Sequence, residues 1–178
     1  MEQTRETVVS ISMVKLNIWV LITTLGVFFG VMVSHSLFFG RFALTFTLFG
    51  MTLFLSALIV FICIHEAIHL IGFRYIGGVS RQELVWGVNW KMGVAYAHAK
   101  KPITVKQMKK VLMLPLIPTG LLPLVIGVSI NFPALSILGV IMAAGCLGDL
   151  ALYRKLVKFP EYALVQDHPS KPQFIVYE

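Results

Sequence analysis

Four apolar stretches, at about 17–39, 42–73, 111–130 and 133–153, decide what this chain can become, because each approaches or exceeds the roughly 20 residues a helix needs to cross a bilayer. Inside lipid no water satisfies an exposed peptide group, so segments of this kind close their backbone bonds internally, as helices. With 57% of its 178 residues hydrophobic, 13% charged and a mean hydropathy of +0.84, a soluble domain of this size has no interior that could hide so much apolar surface. The expected fold is an all-α integral membrane protein, a bundle of four transmembrane helices forming a single membrane-embedded domain over residues 1–178. The first stretch is longer than a signal-peptide core and lacks a clear small-residue cleavage site, which predicts that it is retained.

The stretches are separated by the short sequences Gly40-Arg41 and Asn131-Phe132-Pro133. These predict tight turns, and hence two helical hairpins. Gly26 and Gly30 in the first span, with Ala144, Gly145 and Gly148 in the fourth, are expected to be packing positions where helices approach closely. The third span opens with MLPLIPTGLLP, whose prolines at 115, 118 and 123 free backbone groups that a neighbouring helix, water or a substrate must satisfy. Between spans two and three, ELVWGVNWKMGVAYAHA (residues 83–99) holds two short β-branched and aromatic runs separated by Asn89, Lys91 and Gly93. This is the signal of a small β-hairpin.

Charge sets the orientation. Of fifteen Lys and Arg, Arg5 and Lys15 precede span one, eight (Arg74, Arg81, Lys91, Lys100, Lys101, Lys106, Lys109, Lys110) lie between spans two and three, and Arg154, Lys155, Lys158 and Lys171 follow span four. Arg41 alone falls on the opposite side. The positive-inside rule therefore predicts a multi-pass protein of the cell membrane with both termini, the 74–110 loop and the 154–178 tail in the cytoplasm. The net charge of +7 is accounted for by topology and anionic lipid, so no nucleic-acid partner is expected. Nothing in the sequence fixes an oligomeric state.

Within span two, VFICIHEAIHLIGF (60–73) carries His65, Glu66 and His69, an HExxH pattern, in a chain with only five His and six Glu. On a helix, residues four apart lie on one face about one turn apart, so both imidazoles can reach one cation. The intervening carboxylate is then beside the cation's open position, where it can take a proton from water. Buried ionisable groups cost about 2.5–3.5 kcal/mol each on insertion scales and mark functional sites by default.

A catalytic zinc usually takes three protein ligands and a water. The remaining donors are His35, His98, His168, Cys63, Cys146 and Asp149. His69 lies five residues before Arg74 and Asp149 five before Arg154, so at about 1.5 Å per residue both sit roughly 8 Å inside the same boundary. No basic side chain lies within the spans to neutralise Glu66 and Asp149, and a divalent cation would satisfy both carboxylates. Asp149 is therefore the expected third ligand, with Cys146, three residues earlier, as the alternative. Cys63 and Cys146 are otherwise read as small apolar fillers. His35 is placed at the outer interface, and His98 is read as a solvated strand end.

From HEAIHLIGF through KKPITVKQMKKVLMLPLIP to GCLGDLAL, the sequence resembles a family of small bacterial membrane proteins described as zincin peptidases. More distantly it resembles intramembrane metalloproteases of the site-2 protease class. That resemblance implies His65, His69 and Asp149 as zinc ligands and Glu66 as catalytic base. It departs in one place: site-2 proteases carry Leu-Asp-Gly, with an upstream Asn and Pro in the same helix, whereas this chain has Leu147-Gly148-Asp149. Asn131 and Pro133 lie too far upstream to match.

The expected activity is Zn2+-dependent hydrolysis of peptide bonds in a membrane or membrane-proximal protein or peptide, with Glu66 as general base. A helical substrate must unwind before cleavage; the hairpin at 84–97 is a candidate to hold the unwound strand. The competing readings are a non-catalytic membrane metal-binding protein, chaperone or partner protein, and a metal or proton transporter. A structural zinc tends to have four protein ligands, and a relay does not explain a Glu set between the histidines.

Overall fold

The computed structural model describes residues 5–44, 47–89, 94–167 and 173–178. Four helical stretches are long and apolar enough to cross a membrane: Met13–Phe39, Leu48–Tyr75, Val105–Ser129 and Pro133–Leu156. The first two are single helices, α1 (Met13–Phe39) and α2 (Leu48–Tyr75). The third is built of α3 (Val105–Met113), a π-helical turn (Leu116–Leu121) and α4 (Leu122–Ser129). The fourth is α5 (Pro133–Gly145) followed, after Cys146, by α6 (Leu147–Leu156).

Two starts differ from the sequence expectation by six residues, each for a local reason. The connection after α1 is longer than the turn predicted at Gly40-Arg41: Gly40 adopts a left-handed φ of 76°, and α2 begins at Leu48, where the Thr47 hydroxyl accepts the Gly50 N–H (3.0 Å). The third span starts at Val105 rather than 111, because Thr104 and Gln107 form a reciprocal capping box. The Gln107 N–H donates to Thr104 Oγ1 (3.2 Å) and the Thr104 N–H to Gln107 Oε1 (2.9 Å), satisfying two otherwise orphaned donors.

The fold also contains strands. β2 (Leu84–Asn89) pairs antiparallel with β3 (Val94–Ala99), in register Leu84 to Ala99 and Trp86 to Ala97. The expected hairpin pairing is thus present; its connecting residues 90–93, including Lys91 and Gly93, lie outside the described residues. A four-stranded sheet, absent from the sequence reading, corrects the all-α expectation to a mostly helical one. It joins β1 (Glu6–Ser10), β6 (Gln173–Tyr177), β5 (Leu164–Asp167) and β4 (Ile103–Thr104) in that order, with every neighbouring pair antiparallel. Glu6 opposite Tyr177 ties the beginning of the chain to its end.

The chain divides into two compact units. One comprises Met1–Met13, Glu66–Leu114 and Gly148–Glu178. It holds both sheets, and its core draws alternate residues of the strands (Val165, Phe174, Val176) onto one face of α3 (Val105, Met108, Val111, Leu112). The helical spacing of the α3 residues leaves Lys106 and Lys109 outward, at 3.4 and 3.1 Å from the Glu161 carboxylate. Those two ammonium groups hold Glu161 below the usual carboxylate range. Exposed pairs of this kind contribute little to stability.

The other unit comprises Val14–His65 and Pro115–Leu147. Its closest backbone approaches are made by Gly127, where a Cβ would run into Ser136, and Gly139, where it would run into Leu124. These glycines let α4 and α5 pack with their backbones nearly touching. The glycines expected to pack from their spacing, Gly26, Gly30 and Gly145, instead have open space where a Cβ would stand. Spacing marks where close approach is possible; the chain uses it at other positions.

His35, expected at an interface, is fully buried. Its ring nitrogens lie 3.0 Å from Asn131 Oδ1 and 3.0 Å from Ser136 Oγ, and Phe42 packs edge-on against it at 5.7 Å. Asn131 occupies the left-handed region (φ 54°), which asparagine tolerates better than other side chains. The amide is thus carried on the α4–α5 turn that faces His35. Replacing Ser136 with Ala leaves one buried imidazole nitrogen without its hydroxyl, and should cost about 1–3 kcal/mol. Thermal unfolding in detergent checks this, with a lowered Tm expected.

Candidate metal centre

His65, Glu66 and His69 all lie on α2 and are buried, 9%, 9% and 6% exposed. The chain passes from one compact unit to the other between His65 and Glu66, so each histidine has its own set of neighbours.

In the unit that contains the sheets, His69 Nδ1 donates to the carbonyl of Val111 (3.1 Å). Sequence explains why that carbonyl is available. In a continuous helix it would accept the N–H of residue 115, but residue 115 is proline and has none. Only a long bond from Leu114 N–H (3.3 Å) reaches it along the chain. Gly72, three residues after His69, permits the approach, because a Cβ there would stand 2.7 Å from Leu114 and 3.2 Å from Val111. With an Nδ1 proton donated to Val111, a neutral His69 has its lone pair at Nε2. That atom lies 3.5 Å from Asp149 Oδ1, so the aspartate predicted from depth meets the second histidine of the motif.

Two lone-pair donors at this separation fit a shared cation. Tetrahedral zinc with bonds of about 2.0–2.1 Å separates neighbouring ligand atoms by about 3.4 Å. Neutral imidazole and carboxylate are also the donor types a catalytic zinc takes. His69 and Asp149 therefore fit two coordination positions of the ion implied by the motif.

In the other unit, His65 Nδ1 lies 3.4 Å from Thr119 Oγ1 and 3.8 Å from Cys146 Sγ. Thr119 sits on the π-helical turn, where the C-terminal N–H of Leu122 reaches back five residues to Ile117. Pro118 and Pro123 remove the N–H groups that a regular helix would use here, and a π-turn re-pairs the rest. Gly120 lets this turn sit against α5, since a Cβ would come within 2.9 Å of Ala143 Cα. Thr119 was not among the residues singled out from sequence, and the run of prolines around it is the signal that marks it. Cys146 is buried and Cys63 exposed, so no disulfide joins them.

His98 is buried rather than solvated, stacked on Tyr96 at 5.6 Å with 19° between the rings. Gly87 on the paired strand makes room for the Tyr96 ring. Burial first, and then Lys100, push the His98 imidazole below its ordinary pKa. His168 lies outside the described residues.

A family model described as "Putative zincin peptidase" matches residues 58–164, more than half of the chain. The chain belongs to this family. The region shared with the zincin peptidase family begins inside α2, before the histidines, and runs past Asp149 to the start of β5. It includes Val111, Pro115, Thr119 and Cys146, and leaves α1 and β1 outside. No curated protein and no solved structure matches the chain.

Proposed function

We propose that this zincin peptidase family member is a membrane-embedded zinc peptidase in which His65, His69 and Asp149 hold the ion and Glu66 is the general base. The observation that carries the reading is the meeting of His69 Nε2 with Asp149 Oδ1 at 3.5 Å, with the histidine proton tied to the Val111 carbonyl on the opposite side of the ring. His65 joins through helix geometry, one turn before His69 on the continuous helix α2. Zinc in such a setting supplies Lewis-acid polarisation of the peptide carbonyl and a water made acidic enough to attack at neutral pH.

The chain's own groups do the rest. Glu66, a buried carboxylate between the histidines, takes the proton of the attacking water and hands it to the departing amine. Val111, through its carbonyl, keeps His69 in one tautomer, and a fixed tautomer presents the ligand nitrogen without a rearrangement cost. The substrate is a membrane or membrane-proximal polypeptide, cleaved after local unwinding of its helix. The charge distribution supports a cytoplasmic side for Arg74, the 74–110 loop and the 154–178 tail, with the site near that face.

The test is hydrolysis of a transmembrane model peptide by the purified protein in detergent or liposomes. Cleavage should stop with a zinc chelator and return with added zinc. Cleavage indifferent to chelation would contradict the proposal.

A further inference from the structure

We propose that Thr119 is a positioning residue for His65: its hydroxyl fixes the imidazole with the proton on Nδ1 and so turns the Nε2 lone pair to the ion. The inference rests on the reading of His65 as a ligand and adds to it a residue outside the motif.

The direction of each hydrogen bond follows from proton inventory. Thr119 Oγ1 lies 2.7 Å from the carbonyl of Pro115, and its backbone N–H points to the same oxygen at 3.0 Å. A carbonyl only accepts, so the single hydroxyl proton is spent there. Toward His65 Nδ1, 3.4 Å away, Oγ1 can then only accept, and Nδ1 must bring the hydrogen. A neutral imidazole with Nδ1–H has its lone pair at Nε2. Cys146 Sγ approaches the same nitrogen at 3.8 Å; with Nδ1 protonated, it is a second, weaker acceptor for that proton.

The arrangement parallels that of His69, whose Nδ1–H goes to Val111. Both acceptors come from the segment 111–119, and Pro115 lies behind both: its missing N–H opens the Val111 carbonyl, and its own carbonyl aligns the Thr119 hydroxyl. Thr119 is 1% exposed, so water cannot readily substitute for the lost oxygen. Removing an outer hydrogen-bond partner of a ligand histidine typically costs about 10–100-fold in metal affinity.

The experiment compares zinc dissociation constants, by competition with a chromophoric chelator, for wild type, Thr119→Val, Thr119→Ser and His65→Ala. Valine keeps the shape and removes the oxygen, and should weaken zinc about 10–100-fold; serine should restore it. Wild-type affinity in Thr119→Val, with zinc lost in His65→Ala, would overturn the role of Thr119 alone. Zinc retained in His65→Ala would instead overturn the site on which the inference rests. Histidine side-chain 15N shifts of the metal-free wild type give an answer that needs no variant to fold. The Nδ1–H tautomer is expected at His65, and the Nε2–H tautomer would contradict the inference.

Discussion

Replacing Glu66 with Gln should abolish peptide hydrolysis while leaving zinc in place. Glutamine matches glutamate in shape and fits the same buried position, but its amide cannot accept a proton at neutral pH. Loss of a general acid–base group lowers the rate by about 10²–10⁴-fold, and the larger value is expected here because one carboxylate serves both proton transfers. Glu66 is not assigned as a ligand, so metal content in Glu66→Gln should equal that of wild type. The split between activity and occupancy separates a peptidase from a membrane metal-binding protein, in which the same substitution would have no step to block. Turnover of a model peptide and elemental analysis on one preparation provide both numbers.

The second large effect is expected at His69. Alanine there removes a proposed ligand nitrogen and leaves Asp149, whose side chain is 17% exposed, without the imidazole now beside it. Zinc affinity should fall by more than the roughly 100-fold upper range of an outer-shell loss. Asp149→Asn, which keeps an oxygen and loses the charge, should fall between wild type and His69→Ala. A readout independent of catalysis is available through linkage. Zinc at 100 times its dissociation constant stabilises the folded protein by about 2.7 kcal/mol, so the zinc-dependent rise in Tm seen with wild type should vanish in His69→Ala. Equal zinc-dependent stabilisation in both proteins would place the ion elsewhere.

The four long apolar helices were legible because hydropathy over twenty residues depends little on tertiary context, and all four appear, with two of their starts six residues from the expected bounds. The four-stranded sheet was not. Its strands are two to five residues long, and β1 finds its partner near the other end of the chain, Glu6 against Tyr177. A short run such as ETVVS carries no mark of so distant a neighbour. In the candidate site, the approach of Asp149 to His69 was predictable from equal depth in two parallel helices and the lack of a basic partner. Thr119 was not predictable, because its position depends on a π-helical turn that prolines permit but do not dictate. His35 shows the same limit from the other side: a histidine near a span end reads as interfacial, and only the fold of the Asn131 turn brings two polar partners onto it.

The central claim is a ligand set of two imidazoles and one carboxylate, and X-ray absorption at the zinc edge tests it most directly. The purified, zinc-loaded protein should give only nitrogen and oxygen neighbours at about 2.0–2.2 Å, with the multiple scattering of two histidines. A sulfur neighbour at about 2.3 Å would put Cys146 in the place assigned to Asp149 and contradict the account.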